Sequence, residues 1–76
     1  MKTIFVFLTT GFEEIEALGT IDILCRAELE VKSVSLTDSK QVMGSHKVLV
    51  TADLMFDQVD FSQAEMLVLT GGTTKF

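Results

Sequence analysis

The sequence predicts an α/β fold built on a mostly parallel sheet, and three observations point to it. Thr3-Ile-Phe-Val-Phe-Leu8 is continuously apolar, the pattern of a strand buried on both faces rather than of one that alternates. Met66-Leu-Val-Leu69 repeats that character near the other end of the chain. Between them lies one substantial helical segment. The order strand, helix, strand closes as a right-handed βαβ unit with its helix on one face of the sheet.

The elements follow in order. Thr9, Thr10 and Gly11 break the first strand. Glu13 to Ala27 then reads as a helix, with Glu13, Glu14 and Glu16 at its positive end and Arg26 at its negative end. Ile15, Leu18, Ile21, Leu24 and Cys25 recur at three- and four-residue spacing and predict its buried stripe. Gly19 weakens the helix by up to about 1 kcal/mol relative to Ala, and suggests close packing on the sheet. Glu30 to Leu36 alternates, as a strand nearer an edge does, and Thr37 to Lys40 is a turn. Gln41–Met43 and His46–Val50 flank Gly44-Ser45 and read as a short hairpin with a glycine-containing turn. Asp53 to Gln63 is an irregular or briefly helical connection.

Two doubly buried strands need cover on both faces, yet the sequence offers one good helix. A second layer is therefore expected from elsewhere, and residues 1–76 read as the N-terminal portion of a single domain. Composition agrees. The chain is 47% hydrophobic, with six Phe and four Met and no Trp, Tyr or Pro in 76 residues, which excludes disorder. So short a chain buries only about 60% of its unfolded surface.

Eleven acids against six bases give a net charge of −5 with no basic stripe, so neither nucleic acid nor an anionic membrane is an expected partner. No apolar run approaches the roughly 20 residues of a spanning helix. Ile4 to Leu8 is shorter than a signal h-region, so it reads as a strand and the expected location is cytoplasmic. A lone cysteine builds no intramolecular disulfide and fits a reducing compartment.

Ligands of open α/β sheets bind beyond the carboxyl ends of the strands. Two segments stand there, Thr9 to Glu16 after the first strand and Thr70-Gly71-Gly72 after the last. Glu13, Glu14 and Glu16 read first as helix-start acids with a solvated face. Glu16 has a second reading: toward the side that packs on the sheet, a partly desolvated carboxyl would hold a proton to share with a neighbour. Gly71-Gly72 is either a strand-ending turn or a place where bare backbone N–H groups meet a ligand oxygen. It is neither a Walker loop nor a dinucleotide fingerprint. An aspartate at the end of a central strand, as a phosphoryl receiver requires, is missing; Thr70-Gly71-Gly72 follows Leu69 instead.

Cys25 reads as a structural, buried thiol of the helix rather than a reactive one. His46 has no Cys, His or acid at ligand spacing along the chain, so no metal site is expected, and no cofactor either. Asp22, between Ile21 and Ile23, reads as a partly buried acid bonded to backbone or to a partner chain.

The apolar first strand, Gly11-Phe-Glu-Glu-Ile-Glu-Ala17, Thr20-Ile-Asp-Ile-Leu24 with Arg26-Ala27, and the closing Leu67-Val-Leu-Thr-Gly-Gly72 together resemble the first half of ThiJ/PfpI (DJ-one group) proteins. The resemblance implies a flavodoxin-like three-layer sandwich, of which this chain is the N-terminal half, usually dimeric or here pairing with the remaining half of the domain. It also implies a cysteine on a strand-to-helix elbow further along the chain. Glu16 matches the family glutamate that touches that sulfur, and Gly71 and Gly72 match its oxyanion turn. The implied activities are glyoxalase or deglycase chemistry on small carbonyl substrates, peptidase-like hydrolysis, redox-sensing chaperone behaviour and, for some members, thiazole monophosphate biosynthesis. Thr70 stands where many relatives have proline and Lys75 where many have glycine, which leaves the loop shape open. Phe76 precedes any elbow cysteine, so these residues alone are expected to be inactive.

Overall fold

A computed structural model of the chain describes residues 3–69. β1 (Thr3–Leu8) leads into α1 (Glu14–Arg26), followed by β2 (Val31–Ser35), a hairpin of β3 (Gln41–Met43) and β4 (Leu49–Thr51), and the two-residue β5 (Leu54–Met55). Two single 3-10 turns, Phe56–Gln58 and Phe61–Gln63, precede β6 (Ala64–Leu69). β5, β2, β1 and β6 form a parallel sheet in that order, and β3 pairs with β4 separately. The expected α/β class and parallel sheet are thus observed.

β1 is buried along its whole length, and its side chains alternate between two cores. Ile4, Val6 and Leu8 meet Phe12, Ala17 and the hairpin residues Val42 and Ala52, with Ile21, Leu24, Val50 and Val68 at the margin. Phe5 and Phe7 turn to the other face with Val34, Leu54 and Val59. That second face is not bare, as the helix count alone implied. Phe56 and Phe61, each from a 3-10 turn, close on Phe7 with ring centroids 6.2 and 6.5 Å away. Both remain half-exposed, so this cover is thin.

Several expectations are corrected. The irregular 53–63 segment contributes β5 to the sheet, so β2 has neighbours on both sides. Asp53 fixes that junction: its carboxylate accepts from the Ser33 N–H (2.9 Å) and hydroxyl (3.1 Å). β6 is apolar yet largely exposed, because it is the outermost strand among the described residues. The stripe on α1 is also rotated from the one predicted. Ala17, Ile21 and Leu24 face the sheet and Glu14 is buried against the hairpin turn, whereas Ile15 is 81% exposed and Leu18 and Cys25 are exposed too. Burial of Ala17 between β1 and the helix axis decides that rotation; a small residue admits the closest approach, and Ile15 then points outward. Gly19 likewise has open space around it and makes no close packing on the sheet. Asp22 is no buried acid but half of an exposed ion pair with Arg26 (3.0 Å).

Candidate functional site

Three segments gather at the carboxyl edge of the sheet. The loop 9–13 leaves β1 and is stitched down by backbone bonds. Gly11, at φ 88° in the left-handed region that favours glycine, donates to the Met43 carbonyl (2.8 Å), and Ser45 donates to the Phe12 carbonyl (2.8 Å). The second segment is the hairpin turn 44–48. The third is the end of β6, where Leu69 pairs with Phe7, so the chain leaves β6 at the edge where it leaves β1.

At the centre stands Glu14, the first residue of α1. Expected on a solvated face, its side chain is buried instead. Oε2 accepts from the backbone N–H groups of His46 (2.8 Å) and Val48 (3.2 Å). Oε1 accepts from the Ser45 hydroxyl (3.3 Å) and lies 2.9 Å from His46 Nδ1. Burial pushes the carboxyl's pKa up, but the bonds from the His46 ring and from backbone N–H groups outweigh it and hold the value at about 2. The same contact, with the charges of Glu14 and then Glu13, raises the pKa of His46.

Gly44 makes room for this carboxylate. A Cβ there would lie 2.3 Å from the carboxyl carbon of Glu14 and from Oε2. The glycine serves space rather than conformation, because the left-handed residue of the turn is Lys47 (φ 65°).

His46 therefore has two acids beside it, contrary to the spacing along the chain: the ligand atoms of Glu13, Glu14 and His46 lie within 4.8 Å of one another. Both Glu14 oxygens are already committed to hairpin donors, and a cation would have to displace them. Glu13 is occupied as well, since its side chain caps α1 by accepting from the Ile15 N–H (3.2 Å).

Of the residues singled out beforehand, Glu16 lies in the first turn of α1 at this edge of the sheet, but it is exposed and not turned to the packed side as expected, because Glu14 and Ala17 take the inner face of that turn. Gly71 and Gly72 lie outside the described residues. The structure adds Glu14 and Gly44. Nothing in one sequence joins them, because an acid at a helix start and a glycine in a turn are each ordinary alone.

A parallel βαβ sheet with helix and hairpin on one face, and its loops collected at the carboxyl edge, defines a flavodoxin-like α/β protein. The chain belongs to the DJ-1/PfpI family, whose profile matches residues 2–75. It is 38% identical over 69 residues to Protein DJ-1 homolog B of Arabidopsis thaliana, covering 91% of this chain and 16% of the plant protein. The oxidised Toxoplasma gondii DJ-1 structure superposes with a TM-score of 0.90 at 33% identity, over 96% of this chain and 40% of that one. Drosophila melanogaster DJ-1beta gives a TM-score of 0.87 at 32% identity, over 95% and 39% respectively. The chain thus spans about two-fifths of the solved relatives and a sixth of the plant one. Among the described residues no helix is long and apolar enough to cross a membrane.

Proposed function

We propose that this chain supplies the acid and the oxyanion turn of a cysteine-dependent site acting on small carbonyl compounds, in a cytoplasmic protein whose remaining half carries the thiol. One observation carries the reading. The parallel register Phe7↔Leu69 brings the ends of β1 and β6 to one edge. The segment Thr9 to Glu16 follows the first of these strands and Thr70-Gly71-Gly72 the second. A carboxyl at Glu16 would exchange a proton with the thiol, and backbone N–H groups of the glycine turn would receive the developing oxyanion. Glyoxalase or deglycase chemistry on a dicarbonyl adduct is the reaction class this set serves. The exposure of Glu16 fits a partner group still to be supplied.

A second reading, a non-catalytic module that pairs through its sheet face with the rest of the domain or with a second copy, is favoured by the exposed Met66, Leu67 and Leu69 of β6. Methylglyoxal separates the two. In the complete protein, turnover should depend on the elbow cysteine and fall sharply in Glu16→Gln, while residues 1–76 alone should give none. Undiminished turnover in Glu16→Gln, or turnover by the 76-residue chain, contradicts the catalytic reading.

A further inference from the structure

We propose that Glu14 is a positioning residue: through the room left by Gly44 it staples the hairpin turn onto the first turn of α1, and so fixes where Glu16 stands. The inference rests on the reading of Glu16 given above and extends it to two residues outside the proposed chemistry.

The geometry is specific. Residues advance about 100° around a helix, so Glu14 and Glu16 project from nearly opposite sides of the same turn. One is free to anchor while the other faces outward. Glu14 is 6% exposed, with both oxygens engaged by donors from residues 45, 46 and 48. A carboxylate gripped at two oxygens by a turn ties the first turn of the helix to the hairpin, a polar constraint added to the apolar packing of Ala17, Ile21 and Leu24 further along. The turn is closed by its own backbone bonds: Gly44 donates to the Val48 carbonyl (3.0 Å) and Lys47 donates to the Gly44 carbonyl (3.0 Å). The bonds from Gly11 to Met43 and from Ser45 to Phe12 tie the approach to the helix to the same hairpin. Any side chain at position 44 would drive the carboxylate out of its seat.

The test compares Glu16→Gln, Glu14→Gln, Gly44→Ala and the double variant Glu14→Gln/Gly44→Ala in the complete protein. Readouts are kcat and KM for methylglyoxal and the pH dependence of thiol alkylation by iodoacetamide. Small misplacements of a reacting group cost on the order of ten- to a hundredfold in rate, so Glu14→Gln and Gly44→Ala should each lower kcat by about that much with little change in KM. Both should move the alkylation midpoint in the direction set by Glu16→Gln, and the double variant should be no worse than the worse single one. If Glu16→Gln moves the midpoint while Glu14→Gln and Gly44→Ala keep the parent profile, the staple is structural only and the proposal fails. A Glu16→Gln variant without effect overturns the role of Glu16 itself, and the positioning role with it. Should the Glu14 or Gly44 variants not fold, Ser45→Ala and His46→Ala each remove one donor; a smaller shift in the same direction supports the proposal, and its absence refutes it.

Discussion

β1 and β6 are both six-residue apolar strands, paired in parallel, yet they meet opposite fates. Every residue of β1 is buried, whereas Leu69 of β6 is 77% exposed and Met66 and Leu67 are half-exposed. Apart from Glu65 near the start of β6, composition does not distinguish them; place in the sheet does. β1 is flanked by β2 and β6 and covered by α1 and the hairpin on one face and by the phenylalanine turns on the other. β6 has one strand neighbour and little above or below it among the described residues. The same asymmetry separates the two faces of the sheet. The α1 face is closed by the helix, the hairpin and a buried carboxylate, and the Phe7 face by two half-exposed rings.

The largest expected effect tests that contrast directly. Leu8→Ala should cost about 2–5 kcal/mol of unfolding free energy, because a fully buried side chain leaves a cavity. Leu69→Ala should stay within about 0.5 kcal/mol. Equal costs in denaturant titration would mean that β6 is covered in solution. Phe61→Ala probes the thin face: with its ring half-exposed, the expected loss is roughly 1–3 kcal/mol, below the 3–5 kcal/mol of a buried Phe. A loss as large as that of Leu8→Ala would make the two faces equally closed.

The carboxylate staple adds a pH signature to the α1 face. Glu14 is ionised in the fold down to about pH 2, against an ordinary value of 4.5. Its contribution is therefore present above pH 4.5 and lost as the pH falls toward 2. His46 shifts upward from 6.5, so its contribution is complete below pH 6.5 and fades as the pH rises through the raised value. Thermal midpoints should peak between pH 4.5 and 6.5. Glu14→Gln should flatten both limbs and lower the midpoint by several degrees, and His46→Ala should flatten the alkaline limb and weaken the acid limb in part, because the backbone donors still hold the carboxylate but the ring no longer does; an unchanged profile in either variant removes the staple from the stability of this face. The smallest effects lie on the outer surface of α1. Gly19→Ala should stabilise by about 0.5–1 kcal/mol, since nothing occupies the space its Cβ would take. Glu28→Gly should gain a few tenths of a kcal/mol, by the left-handed φ of 62° that closes the helix. A destabilising Gly19→Ala would reveal a partner seated on the outer helix face.

What the sequence determined by itself is the set of elements whose signals are local. The apolar run of β1, the acids that open α1, the alternation of β2 and the glycine between β3 and β4 each sit within a few residues of what they encode. The family followed from motifs of the same local kind, Gly11 to Ala17 and Leu67 to Gly72. Tertiary structure alone decided the rest. β5 is two residues long and carries no period, so only pairing with β2 makes it a strand. The rotation of α1 was hidden because apolar Ile15 and Leu18 compete with Ala17 and Ile21 for the inner face, and packing against β1 settles the contest. Glu14 and the hairpin donors stand 31 to 34 residues apart along the chain. Their meeting depends on the whole βαβ path. A buried charge is tolerated only where donors converge on it, and convergence of distant backbone N–H groups is a property of the folded chain, invisible in any window of its sequence.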